Sequence, residues 1–68
     1  MATETRWPPK RIRKLRKSLG DTQQEFAGRL GLDRWQTISE WERGVIGLSK
    51  SSEKLLDLIE QQLDRETA

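Results

Sequence analysis

Three glycines divide this chain into short helical segments and so restrict it to a small helical fold. Gly20, Gly31 and Gly44 each follow a run in which apolar residues recur at three- and four-residue spacing. Such spacing is typical of one face of a helix, and a glycine after the last turn ends a helix by adopting a left-handed conformation. No segment alternates apolar and polar residues with a period of two, so we expect no sheet.

The first two helices have recognisable starting signals. Proline tolerates the first turn of a helix because its missing N–H would be unpaired there, and the first helix is predicted from Pro9 to Leu19. Thr22-Gln23-Gln24-Glu25 forms a capping box and starts a second helix, which ends before Gly31. At about nine residues this second helix is too short to persist alone, so tertiary packing must hold it.

The third and fourth helices are predicted from further capping residues. Asp33-Arg34-Trp35-Gln36 reads as a second box, so the third helix should begin two residues after the second ends and reach Arg43. Helices joined this tightly cross at a steep angle. After a loop over residues 45–50, Ser51 or Ser52 is expected to cap a fourth helix that continues to about Asp64.

Each helix carries an apolar stripe that we expect to face one core. In the third helix, Ile38 and Trp41 are one turn apart, and burying them would leave the opposite face free for a partner. The small side chain of Ala27 allows the second and third helices to cross closely. The predicted core residues of the first three helices are Ile12, Leu15, Leu19, Phe26, Ala27, Leu30, Ile38 and Trp41. The stripe of the fourth helix belongs either to a pairing surface or to the core and consists of Leu55, Leu56, Ile59 and Leu63.

Charge is distributed unevenly along the chain. The net charge is +2, yet residues 1–17 carry seven Lys or Arg against one acid, while residues 51–68 carry two against five. The N-terminal part should therefore attract polyanions such as the phosphates of nucleic acid. The alternative is that the cations of the first helix form only a solvent-exposed face and bind no partner. The cations in question are Lys10, Arg11, Arg13, Lys14, Arg16 and Lys17.

The composition argues against several classes of function. The 68 residues include no cysteine, histidine or tyrosine, so we expect one domain with no disulfide, no metal, no cofactor and no catalytic activity. No apolar run approaches the roughly 20 residues that span a bilayer. Residues 1–7 lack the apolar stretch of a signal peptide, so we expect a cytoplasmic protein without a membrane partner.

The chain contains three short motifs: Thr22-Gln23-Gln24-Glu25-Phe26-Ala27, Leu30-Gly31 and Trp41-Glu42-Arg43-Gly44. Together they resemble the phage-repressor-like helix-turn-helix family, also called the xenobiotic-response-element or lambda-repressor-like type, and the resemblance covers about residues 10–60. It implies an all-α, compact lambda-repressor-like domain of four, or at most five, helices. The helix pattern gives this domain residues 8–65, with flexible termini expected at 1–7 and 66–68. One departure stands out: Leu32 to Thr37 make six residues between Gly31 and Ile38, where relatives usually have five.

The resemblance also implies a function. Its members bind double-stranded DNA in the major groove, which implies a transcriptional regulator, repressor or antitoxin-like, in the bacterial or phage cytosol or nucleoid. A symmetric homodimer on a palindromic site is the natural binding mode, with the fourth helix as the expected pairing surface. The alternative is a protein-interaction module that keeps the fold and binds an unknown protein partner through Trp35 and the third helix.

The resemblance assigns roles to individual residues. Expected base contacts are Trp35, Gln36, Ser39 and Glu40. Expected phosphate contacts are Gln23, Arg34, Thr37, Arg43, Lys50, Lys10, Arg11 and Lys14. Gln36 is the strongest candidate, because a glutamine can bond adenine N6 and N7 together.

Two further expectations concern single side chains. Arg16 and Glu42 resemble a family pair in which an arginine of the first helix reaches the glutamate that follows the aromatic residue of the third. Trp35 has three interpretations, because the extra residue shifts its direction on the helix. It is a core side chain, a base or thymine-methyl contact, or part of a surface for a second protein.

Overall fold

The computed structural model describes residues 7–67, and within that range it contains four helices and no strand. They are α1 (Pro9–Ser18), α2 (Gln23–Arg29), α3 (Gln36–Arg43) and α4 (Lys50–Thr67). The predicted all-α, four-helix fold is confirmed. Within the described residues, no helix is long and apolar enough to cross a membrane.

The glycine stops and the first capping box are formed as predicted. Gly20, Gly31 and Gly44 have φ of +73°, +74° and +73°, so each turns the chain out of the preceding helix. At the start of α2, the hydroxyl of Thr22 accepts from the Glu25 N–H at 3.1 Å. The Glu25 carboxylate accepts in return from the Thr22 N–H at 2.8 Å. These ends are set by interactions within a few residues of sequence.

The predicted second capping box, on Asp33, is wrong. The residue before α3 is Trp35, in a helical conformation and with no side-chain cap, and the connection from α2 covers residues 30–35 rather than two residues. The physical reason is the way α2 ends: the Leu32 N–H donates to the Ala27 carbonyl at 2.9 Å, which closes α2 with a Schellman motif. The chain then needs Asp33 and Arg34 to reach the next helix.

The start and the end of α4 also differ from prediction. Ser49, not Ser51 or Ser52, caps the helix, because its hydroxyl accepts from the Ser52 N–H at 3.2 Å. The helix runs to Thr67, past the predicted end at Asp64. No glycine or proline stands in residues 64–67 to stop it, and Arg65 in the last turn suits the negative end of the helix dipole.

The core contains one tryptophan that the sequence analysis left outside the domain. Trp7 is only 1% exposed, and its indole N–H donates to the Asp57 carboxylate of α4 at 2.8 Å. Trp7, which was expected to lie in a flexible segment, is therefore part of the core, and residues 66 and 67 continue α4. Residues 1–6 and 68 lie outside the described residues. The buried hydrophobic side chains are Trp7, Ile12, Leu15, Phe26, Ala27, Leu30, Ile38, Trp41 and Leu56.

The apolar residues of α4 divide between core and surface. Leu56 is fully buried, and Ile59 and Leu63 pack partly buried against the core. Leu55 is exposed, and so is Leu58, so of the two roles expected for this stripe Leu55 does not take the one in the core. With 100° between successive residues, Leu55 and Leu58 lie on one side of α4, turned away from Leu56.

Candidate nucleic-acid interface

Helix α3 has one buried face and one outward face. Ile38, Trp41 and Glu42 are buried, so the predicted anchors of this helix are confirmed. The opposite face carries four of the predicted site residues. Gln36 and Arg43 are exposed there, and Ser39 and Glu40 are partly exposed. Spacings of three, four and seven residues place these four side chains on one side of the helix.

The position of α3 is fixed by its neighbours. It packs against both α1 and α2, and its fully buried Ile38 lies in the same core as Phe26 of α2 and Ile12 of α1. The left-handed Gly44 ends the helix, and its N–H donates to the Trp41 carbonyl at 3.1 Å. The outward face is thus presented by a helix whose inner face is packed into the core.

The carboxylate of Glu42 joins α3 to α1 and α2. The Glu42 side chain is only 1% exposed. Arg16 of α1 donates to both oxygens, with Nε 2.6 Å from Oε2 and Nη2 3.0 Å from Oε1. Gln23 of α2 donates its amide to Oε1 at 3.3 Å, and Arg13 of α1 donates at 3.5 Å. The expected contact between Arg16 and Glu42 is therefore present in the structure. Gln23 and Arg13 are additional donors to the same carboxylate.

The electrostatics keep this pair ionised. Burial acts to raise the pKa of Glu42, but hydrogen bonds from Arg16 and Gln23 and the charge of Arg16 outweigh it, so the pKa lies below its usual value. The hydrogen bond to Glu42 likewise raises the pKa of Arg16, against the effect of burial. A buried carboxylate with this many donors is satisfied, so it holds α3 in one orientation.

Trp35 and its neighbours lie at the N-terminal end of α3. Trp35 is 44% exposed, so its interpretation as a core side chain is wrong. Arg34 is exposed beside it in the connection from α2, and Thr37 in the first turn of α3 is partly exposed. The aromatic ring therefore stands at the edge of the outward face that Gln36 begins.

The cations of α1 point in two directions. Arg13 and Arg16 reach Glu42 and so face α3. Arg11 binds Glu60 of α4 at 2.6 Å, and its guanidinium lies 4.0 Å from the centre of the Trp7 ring. Lys14 lines the same shallow groove between α1 and α4. Sequence reasoning listed Arg13 among the basic residues without giving it a role of its own, although its place one turn before Arg16 puts the two on one side of α1.

The remaining predicted phosphate contacts lie at separate places. Lys10 is exposed in the first turn of α1, and Lys50 is exposed as the first residue of α4.

Within the described residues there is no cluster of acidic side chains that would hold a metal ion.

Two short helices, α2 and α3, are joined by the turn over residues 30–35, and the second is fixed by its inner face and presents its outer face. This arrangement defines a helix-turn-helix protein. A family model described as "Helix-turn-helix" matches residues 12–68. The chain belongs to this lambda-repressor-like helix-turn-helix family, whose members bind DNA, are commonly transcriptional regulators and are typically not enzymes. No curated protein and no solved structure matches the chain significantly.

Proposed function

We propose that this protein is a sequence-specific regulator of transcription, repressor or antitoxin-like, that inserts α3 into the major groove of double-stranded DNA. The observation that carries the proposal is the division of α3 into two faces. Ile38, Trp41 and Glu42 hold one face in the fold, and Gln36 and Arg43 stand exposed on the other. DNA as the ligand would place the protein at the nucleoid of a bacterial or phage-infected cell.

The outward face has the donors and acceptors that base edges require. Gln36 is exposed in the first turn, where its amide can bond adenine N6 and N7 together. Glu40 lies one turn further along and can accept from cytosine N4, with Ser39 beside it. The exposed ring of Trp35 suits apolar contact with a thymine methyl group. These four residues are the proposed base contacts.

The proposed phosphate contacts surround this face. Gln23 is held next to α3 by its hydrogen bond to Glu42, and its amide has a second N–H for a phosphate oxygen. Arg11 and Lys14 are left out, because they face the acidic side of α4. The other proposed contacts are Lys10, Arg34, Thr37, Arg43 and Lys50.

A second copy of the chain is the proposed partner on DNA. A single short helix makes few base contacts, so two copies on half-sites one turn of duplex apart would supply the missing discrimination. Leu55 and Leu58 lie exposed on one side of α4 and offer the apolar surface for pairing. Sedimentation of the DNA complex should show two copies for the wild type, and Leu58→Glu should reduce this to one. A one-copy wild-type complex would rule out the dimer.

Selection from random duplexes, followed by binding of the selected site, tests the proposed function. Gln36→Ala should weaken specific binding by roughly 1 to 3 kcal/mol and relax the preference at one base pair per half-site. Binding to an unrelated duplex, which phosphates dominate, should barely change. Gln61→Ala, an exposed glutamine of α4, is the matched control and should leave both affinities unchanged.

The same experiment separates DNA binding from the rival interpretation. A protein-interaction module would also use an exposed Trp35 and the outward face of α3, but it would not select a duplex sequence. Base preference that survives Gln36→Ala intact would mean that another residue reads the groove. A wild-type protein that binds no duplex even at low salt would leave binding of a protein partner as the better explanation.

A further inference from the structure

We propose that Arg13, in addition to Lys10, is a residue of α1 that binds a DNA phosphate, and that Glu42 holds it beside α3 in the free protein. The proposal rests on the proposed DNA-binding function and deepens it. Nothing in the sequence motifs singles Arg13 out from the other cations of α1. The contacts of the Glu42 carboxylate distinguish Arg13 from these other cations.

The first observation is that Glu42 has more positive partners than it needs. Arg16 already donates to both carboxylate oxygens, at 2.6 and 3.0 Å. Arg13 makes a longer contact of 3.5 Å with Oε1, so that among the described residues two guanidinium groups face this one carboxylate, an excess of one positive charge. Such an excess charge, fixed at the side of α3, attracts an anion.

The second observation is the difference in exposure between the two arginines. The Arg16 side chain is 14% exposed and also donates to the Asp21 carbonyl at 3.0 Å, so it is held in place. The Arg13 side chain is 53% exposed and makes a long contact of the kind that contributes little to stability. Arg13 can therefore turn to a phosphate while Arg16 and Gln23 still satisfy Glu42.

The third observation is direction. Arg13 faces α3, whereas Arg11 is paired with Glu60 and Lys14 lines the groove toward α4. A duplex that receives α3 in its major groove has its phosphate backbone beside that helix. A guanidinium at this place can bind two phosphate oxygens through its fork of N–H groups.

The test is the salt dependence of binding to an unrelated duplex, measured for the wild type and for Arg13→Gln. Losing one phosphate contact lowers the slope of log K against log salt by about 0.9. The ratio of affinities at 50 mM and 200 mM salt should therefore fall about threefold. Arg13→Lys, which keeps the charge, should retain most of the slope.

Arg11→Gln and Lys14→Gln are the matched controls, because each removes one positive charge from the same helix. Both should keep the slope of the wild type, and the melting temperature of Arg13→Gln should stay within a few degrees of it. An unchanged slope for Arg13→Gln, in a wild type that binds DNA, would overturn this proposal alone. An equal loss of slope in Arg13→Gln, Arg11→Gln and Lys14→Gln would also overturn it. Such a result would mean that DNA responds to the total positive charge of α1 and not to a contact made by Arg13. A wild type that binds no duplex would overturn the proposed function as well.

Discussion

Arg16 and Glu42 form a two-pronged ion pair between α1 and α3, with both carboxylate oxygens accepting from one guanidinium at 2.6 and 3.0 Å. The pair is largely closed to solvent on the glutamate side. Buried pairs of this kind add orientation more reliably than net stability, because desolvation offsets much of the attraction. Its value here is that it sets the angle at which α3 presents Gln36.

The first prediction concerns the pH dependence of stability. The pKa of Glu42 is lower in the folded protein than the ordinary value of 4.5, because donors from Arg16 and Gln23 outweigh burial. Its stabilising effect is therefore complete above the ordinary value and is lost as the pH falls through the lower folded value. Urea unfolding between pH 7 and pH 2 should show this loss, and Glu42→Gln should remove that part of the dependence.

A double-mutant comparison isolates the pair. Arg16→Gln leaves the buried carboxylate with weaker donors and should cost about 1 to 3 kcal/mol at neutral pH. Adding Glu42→Gln removes the uncompensated charge, so the double variant should be more stable than Arg16→Gln alone. Equal stabilities of the single and the double variant would mean that Glu42 does not depend on Arg16.

The second prediction compares the three tryptophans. Trp7 and Trp41 are buried, so replacing either with alanine should cost about 3 to 5 kcal/mol, a large share of what a domain of this size holds. Trp35→Ala is the internal control, because its ring is exposed, and it should change stability by only about 0.5 kcal/mol. Thermal unfolding measures all three. An unchanged melting temperature for Trp7→Ala would contradict the assignment of Trp7 to the core.

The third prediction uses two glycines of the α2 region. Gly31 has φ of +74°, so an alanine there is strained although no atom lies within 4 Å of the added Cβ, and it should destabilise the domain by about 1 to 2 kcal/mol. Gly28 lies inside α2, also without a neighbour within 4 Å, and Gly28→Ala should stabilise by about 0.5 to 1 kcal/mol. Relative to the wild type, the midpoint of urea unfolding should fall for Gly31→Ala and rise for Gly28→Ala. A stabilising Gly31→Ala would contradict the left-handed turn.

The ends of the helices could be predicted where neighbours in sequence determine them. The Thr22 capping box is complete within four residues, and Gly44 needs only its own missing Cβ to end α3. Asp33 looked like a second cap on the same grounds. It failed because α3 begins after Trp35, which has a helical backbone and no side-chain cap, so Asp33 does not stand at the cap position.

The candidate site was predictable in its outline and not in its connections. The spacing of Ile38 and Trp41 indicated which face of α3 is buried, and therefore which face Gln36 and Arg43 share. The motif resemblance indicated the contact between Arg16 and Glu42. The contacts of Gln23 and Arg13 with the same carboxylate were not predictable, because they join side chains 19 and 29 residues apart through the relative placement of three helices.

The sequence by itself determined four helices, three glycine stops and one anchored helix with a free face, because these follow from backbone chemistry and periodicity within a few residues. Only the tertiary structure decided that Trp7 belongs to the core, through a contact with Asp57 across 50 residues. It also decided that Arg11 faces α4 while Arg13 faces α3. The basic side chains of α1 are distributed around the helix, so its sequence alone does not show which of them face α3 and which face α4. The helices packed against α1 decide that.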